Sequence, residues 1–166
     1  TDSFMEAAPL NGKIDCVITN PPWQMLKPDR RDLASLSGKV RDAYCAGLRD
    51  YDRRLAGALP KSQPCRKFAG WGTNLSRCGM ELSLRLLSEK GTCGIVLPAS
   101  LLTDQMSIDL RKWAMEETAL LHVLHYPAEA RLFELVDQSC VAAVMTKARP
   151  QHHWTAVTRF GKARNV

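Results

Sequence analysis

The sequence has no run of about 18 apolar residues, so no segment of it reads as a membrane-crossing helix. Its first residues show no basic segment followed by an apolar one, and a signal peptide is not expected. Six cysteines stand singly at 16, 45, 65, 78, 93 and 140. None forms Cys-x-x-Cys and no Cys/His group has zinc-ligand spacing, so no metal is expected. Cys16, Cys93 and Cys140 fall in strand-like apolar runs, where cysteine behaves as a small hydrophobe, and reduced thiols in a cytoplasm are the expected state. His122 and His125 flank one such run, and His152-His153 reads as part of a solvated tail. Internal repeats and low-complexity tracts are absent. Glycine is scarce where nucleotide-binding folds need it, since only Gly12 precedes Asn20. What is present suits one globular domain: 166 residues, 45% hydrophobic and 24% charged.

Charge is concentrated in one stretch. Residues 27–67 hold 11 Lys/Arg against 5 Asp, which accounts for the whole formal net charge of +6. Such a segment suits a phosphate backbone, although interspersed pairs such as Asp50/Arg54 also suit a solvated helical face.

The coarse reading begins with a strand at 14–19 and a loop at 20–28. Leu33, Leu36, Val40, Tyr44, Leu48, Tyr51 and Leu55 then repeat at three- and four-residue spacing, predicting a helical segment near 29–57 with a break at Gly38. Pro60 and Pro64 bound a loop to about residue 72. Thr73 or Asn74 caps a helix carrying Leu75, Cys78, Leu82 and Leu86 and ending at Gly91. Strand 92–97, a loop through Ser100, helix 104–117, and strands 119–126 and 139–147 complete the pattern. Strands alternating with helices, each an unbroken apolar run, predict an α/β fold. Its sheet should be mainly parallel, with helices on both faces and a closing antiparallel hairpin.

The tetrapeptide Asn20-Pro21-Pro22-Trp23 ends the first strand, at the rim where open α/β sheets bind ligands. It joins one amide, two prolines and an aromatic ring in a stiff turn. Methylation of an exocyclic amine on a planar base needs such a grouping. The lone pair of that amine is delocalised into the ring, so it must be turned toward an electrophilic methyl. The Asn20 side-chain oxygen and the Pro21 carbonyl can hold its two N–H bonds, and Pro21 keeps that carbonyl fixed. Pro22 shapes the turn, and Trp23 can stack on the base.

The turn resembles the catalytic motif of the S-adenosylmethionine-dependent N6-adenine DNA methyltransferases of restriction–modification type. Other pieces follow that family's order. Asp2-Ser3-Phe4 stands where the family has an acidic residue contacting the cofactor adenine, so the resemblance implies cofactor-binding roles for Asp2 and Phe4. Leu82 to Leu87, then Ser88-Glu89-Lys90-Gly91 and Gly94-Ile95-Val96-Leu97-Pro98-Ala99-Ser100, resemble its helix, glycine turn, strand and Pro-x-Ser loop. Leu132-Phe133 and Ser139 to Met145 resemble its last hairpin, where Phe133 would stack on a flipped base or pack beneath the hairpin. Lys27, Arg30 and Arg31 would contact DNA phosphates. The likeness covers about residues 1–150, with 27–72 as a basic, largely helical insertion and 151–166 leading into a missing target-recognition segment.

One departure stands out. The family's cofactor glycine motif should precede Asn20, and Gly70-Trp71-Gly72 follows no strand. The chain therefore reads as the C-terminal part of a Rossmann-like catalytic domain, inactive by itself and needing its N-terminal half. Double-stranded DNA is the expected partner. Two other readings stay open: an RNA or protein-glutamine methyltransferase with the same loop, and an inactive DNA-binding or assembly half-domain.

Overall fold

The computed structural model describes residues 2–64, 73–133, 137–148 and 159–160. Gly70-Trp71-Gly72, Cys65, His152-His153 and most of the 151–166 segment lie outside the described residues. In chain order the regular elements are α1 (Ser3–Glu6), β1 (Ile14–Thr19), α2 (Arg30–Ser35), α3 (Gly38–Ala58), α4 (Leu75–Leu86), β2 (Leu87–Pro98), α5 (Ile108–Glu117), β3 (Ala119–Tyr126), β4 (Cys140–Thr146) and β5 (Arg159–Phe160). The strands form one sheet in the order β1-β2-β4-β3-β5. β1 runs parallel to β2, β3 runs parallel to β5, and β4 opposes both of its neighbours. Four strands thus share a direction, and β4 enters between β2 and β3 as the antiparallel member. The expected α/β class, mainly parallel with a closing antiparallel pair, is the one observed.

Two expectations shift. The helix expected to reach Gly91 stops at Leu86, and β2 starts at Leu87 instead of 92. Lys90 turns the backbone with φ 67, and the pairing with β1 slips between Ile14↔Leu87 and Cys16↔Thr92. The leucine-rich 82–87 run looks helical to its end, but Leu87 is claimed by the sheet. Cys16, expected in a buried strand, is exposed. It stands one residue from Val17, which packs into the core, so alternation along β1 turns it outward.

The main core lies on one face of the sheet. Cys93, Ile95 and Leu97 of β2 and Val141, Ala143 and Met145 of β4 meet Met80 and Leu84 of α4 and Leu110 and Ala114 of α5. A second cluster joins Leu55 and Leu59 to Leu26 and Cys78, with Phe4, Met5, Leu48 and Tyr51 against it. Full burial of each leucine contributes about 1.5–3 kcal/mol. The two clusters sandwich α4, which is why even its polar residues are covered. Buried Glu81 is satisfied by the backbone N–H of Ser62, at 2.6 Å, and by the Arg85 guanidinium, at 2.6 and 2.8 Å. The helices whose packing is described gather on this face. The opposite face, expected to be covered too, carries Ile18 at 85% and Leu124 at 44% exposure.

Candidate active site

β1 delivers Asn20 directly to the carboxyl rim of its parallel pair with β2. Asn20 is exposed, Pro21 is buried, Pro22 is exposed and Trp23 is half-buried. The turn therefore sits at the surface with one proline as its anchor. That anchor is α4. Gly79 faces the Pro21 ring so closely that a Cβ there would overlap Pro21 Cβ and stand 2.8 Å from Cγ. The following residues are pinned to the start of the same helix. Leu75 donates its N–H to the Gln24 carbonyl at 2.9 Å, and Leu26 donates to the Thr73 carbonyl at 2.8 Å. Met25 and Asn74 form a β-bridge between these bonds. The Asn74 side chain caps α4 by accepting from the Ser76 and Arg77 backbone N–H groups.

Trp23 and Phe133 meet edge to face, ring centroids 5.4 Å apart and planes at 87°. Two aromatics expected near a flat substrate are thereby joined across 110 positions of sequence. A T-shaped pair presents one ring face and one ring edge at a corner, which suits a planar ligand. The indole Nε1 of Trp23 is buried without an acceptor among the described residues. A buried donor left unpaired costs about 1–3 kcal/mol, which an accepting ligand atom would recover.

Lys27, Arg30 and Arg31 line an open hollow of about 1040 Å³ beside the loop, with Gln24, Met25 and Tyr44. All three cations are exposed. Asp29 caps α2 by accepting the Arg31 backbone N–H at 2.6 Å, and Asp32 accepts the Tyr44 hydroxyl at 3.0 Å. The two carboxylates are occupied in shaping the wall, which leaves the cationic side chains facing solvent.

Asp2 and Phe4 sit apart from this hollow in their bonding. Asp2 Oδ1 accepts the Phe4 backbone N–H and the Tyr51 hydroxyl, each at 3.1 Å. Burial and this carboxylate push the Tyr51 hydroxyl up to about 12, so it stays a donor. Phe4 packs against the second cluster. Asp2 Oδ2 makes no bond to a described residue and keeps its acceptor capacity. Among the described residues no His/Cys/Asp/Glu group could hold a metal ion, and no helix is long and apolar enough to cross a membrane.

Sequence reasoning missed Gly79 and the α4 clamp. The signal was a glycine inside a predicted helix, where it costs about 1 kcal/mol relative to alanine unless something packs against it.

No protein-family model and no curated protein sequence matches the chain. Solved structures do. The M protein of the type I restriction enzyme EcoKI (EC 2.1.1.72) is 18% identical with a TM-score of 0.53, over 89% of this chain and 23% of that one. A class I S-adenosylmethionine-dependent methyltransferase from Listeria monocytogenes is 12% identical with a TM-score of 0.50, over 87% and 36%. The DrdV–DNA complex is 11% identical with a TM-score of 0.56, over 88% and 14%. At these identities the likeness is one of fold. The chain spans about a quarter of the EcoKI M protein.

Proposed function

We propose that this chain is the C-terminal part, about residues 1–150, of the catalytic domain of an N6-adenine DNA methyltransferase of restriction–modification type. The observation that carries the reading is the surface turn Asn20-Pro21-Pro22-Trp23 at the carboxyl rim, its tryptophan cornered against Phe133, on a fold shared with methyltransferases. The adenine amine is buried in duplex DNA, so the base must leave the stack to reach this corner. Trp23 then offers its face to the base, and Phe133 closes the corner.

The Asn20 amide oxygen and the Pro21 carbonyl accept the two N–H bonds of the amine. Its lone pair is thereby turned out of conjugation toward the side from which a sulfonium methyl would be given up with cleavage of its S–C bond. The proton shed by the nitrogen would pass to water. When bound, S-adenosylmethionine supplies the electrophilic methyl. Asp2 through Oδ2, with Phe4 beside it, would meet the adenosine end of the cofactor. The glycine turn that holds its other end belongs to the N-terminal half of the domain, which also covers the open face of the sheet. Lys27, Arg30 and Arg31 take phosphates of double-stranded DNA in their hollow, and a target-recognition region beyond 151–166 supplies the sequence preference. The whole assembly works in the cytoplasm with reduced thiols.

In the complete enzyme, Asn20→Ala should lower methyl transfer to adenine in DNA by about 10²–10³-fold, the scale of losing one preorganised acceptor or donor. DNA affinity should change little. Equal transfer by that variant rejects the reading, and transfer to RNA or glutamine in its place reassigns the substrate.

A further inference from the structure

We propose that Gly79 is a positioning residue: the missing side chain in α4 is the seat that fixes Pro21, and with it the carbonyl aimed at the substrate amine. The inference rests on the methyl-transfer reading for its functional half, and on geometry alone for its structural half.

Three of the loop's fixings lie on α4 or on the residues just before it. The loop's outgoing arm is held by two backbone hydrogen bonds, Leu75 N–H at the first residue of α4 to Gln24, and Leu26 N–H to Thr73 just before the helix. Those bonds set residues 24–26 and leave Asn20 and Pro21 to be placed by other means. β1 fixes the chain only as far as Thr19. Between these limits the sole buried residue of the turn is Pro21, and its ring occupies the space a Gly79 Cβ would take. A proline cannot yield by changing rotamer, and a helix backbone cannot yield without breaking its own hydrogen bonds. A methyl group at 79 must therefore push the turn outward. α4 itself is tied to the preceding chain by Glu81, whose buried carboxylate accepts the Ser62 backbone N–H. The Glu81–Arg85 pair stiffens it along its length, so the helix is the stiffer partner. The displaced group is then the Pro21 carbonyl, and Trp23 two residues on must shift against Phe133.

The chain contains its own control. Gly47 and Gly57 lie inside α3, and a Cβ placed on either would meet nothing within 4 Å. There Gly→Ala should raise the unfolding midpoint, because alanine is the better helix former and meets open space. Gly79→Ala should lower it. It should also move the indole N–H resonance of Trp23, identified by its loss in Trp23→Phe. Pro21→Gly removes the colliding ring, so Gly79→Ala combined with Pro21→Gly should be less damaging than the sum of the two single changes. An additive cycle, or a Gly79→Ala variant as stable as Gly47→Ala, overturns the seat.

In the complete enzyme, Gly79→Ala should lower kcat for adenine methylation at least tenfold while KM for DNA stays within about threefold. A rise in KM with kcat unchanged overturns the positioning role even if the coupling to Pro21 holds. If Asn20→Ala leaves transfer intact, the methyl-transfer reading fails and the Gly79–Pro21 coupling is judged by the cycle alone.

Discussion

The two faces of the sheet are built from the same strands, offset by one residue, and they meet opposite fates. On the closed face Cys93 is 0% and Ile95 is 2% exposed, packed beneath α4 and α5. On the open face Ile18, Cys16 and Leu124 are exposed, and Val96, Ala142 and Val144 are only half-covered by their neighbours. Composition does not separate the faces, because both are apolar. What separates them is whether a helix arrives. An apolar face of this kind on an otherwise finished sheet is a demand for cover, and β1 adds an edge that pairs only with β2 among the described residues.

The largest expected effect tests the closed face. Leu97→Ala removes a side chain packed between sheet and helices and should cost about 2–5 kcal/mol in urea unfolding. Ile18→Ala, on the neighbouring strand but the open face, should cost far less in the same chain. Equal costs would break the comparison and mean that the open face is already covered by self-association, which dilution of the sample would reveal.

This contrast also marks the limit of what the sequence discloses. The runs 14–19 and 119–126 became strands at those bounds, because each is a short, mainly apolar stretch closed by a proline-bearing turn and too short to compete as a helix. The Asn20-Pro21-Pro22-Trp23 turn was legible, and its place at the strand end followed from strand length. An apolar run on both faces predicted two covers, and the pattern could not say which cover this stretch of chain carries. Gly79 was illegible for a related reason. Its role is defined by a proline 58 positions away, and nothing in its own helix names that partner. The Trp23–Phe133 contact is of the same kind: each ring was assigned to the substrate by itself, and only the fold brings one against the other.

A second test uses pH. Burial pushes the Cys93 thiol up to about 12, with nearby Cys16 adding to it, and the Cys78 thiol up to about 11. Both values lie above the ordinary 9.0, so the folded state keeps protons that the unfolded chain releases. Their contribution is complete below pH 9 and is lost as pH rises toward the folded values, at up to about 1.4 kcal/mol per pH unit for each thiol. Tyr51, raised to about 12, adds to the loss above pH 10. Unfolding midpoints should therefore fall steadily from pH 9 to 11. Cys93→Ala should flatten the slope, and an unchanged slope would mean that the closed face admits water.

The smallest expected change in stability is the most informative about the open face. Ile18→Thr keeps the β-branch that a strand prefers and removes apolar surface already in water, so stability should move by no more than about 0.5 kcal/mol. Association should respond far more. Mixed with the N-terminal half that the proposed function invokes, the unmodified chain should bury Ile18, and Ile18→Thr should weaken the complex at least tenfold. Cys16 supplies the readout, since it lies on the same face two residues earlier. Alkylation at pH 8 should label Cys16 rapidly and spare buried Cys93 in the isolated chain, then slow at Cys16 once the cover is bound. A Cys16 that labels equally fast in the complex would place the contact elsewhere, and the open face would then need a different occupant. The two cysteines stand on paired strands, so their reactivities compare the faces across one hydrogen-bonded step of the sheet.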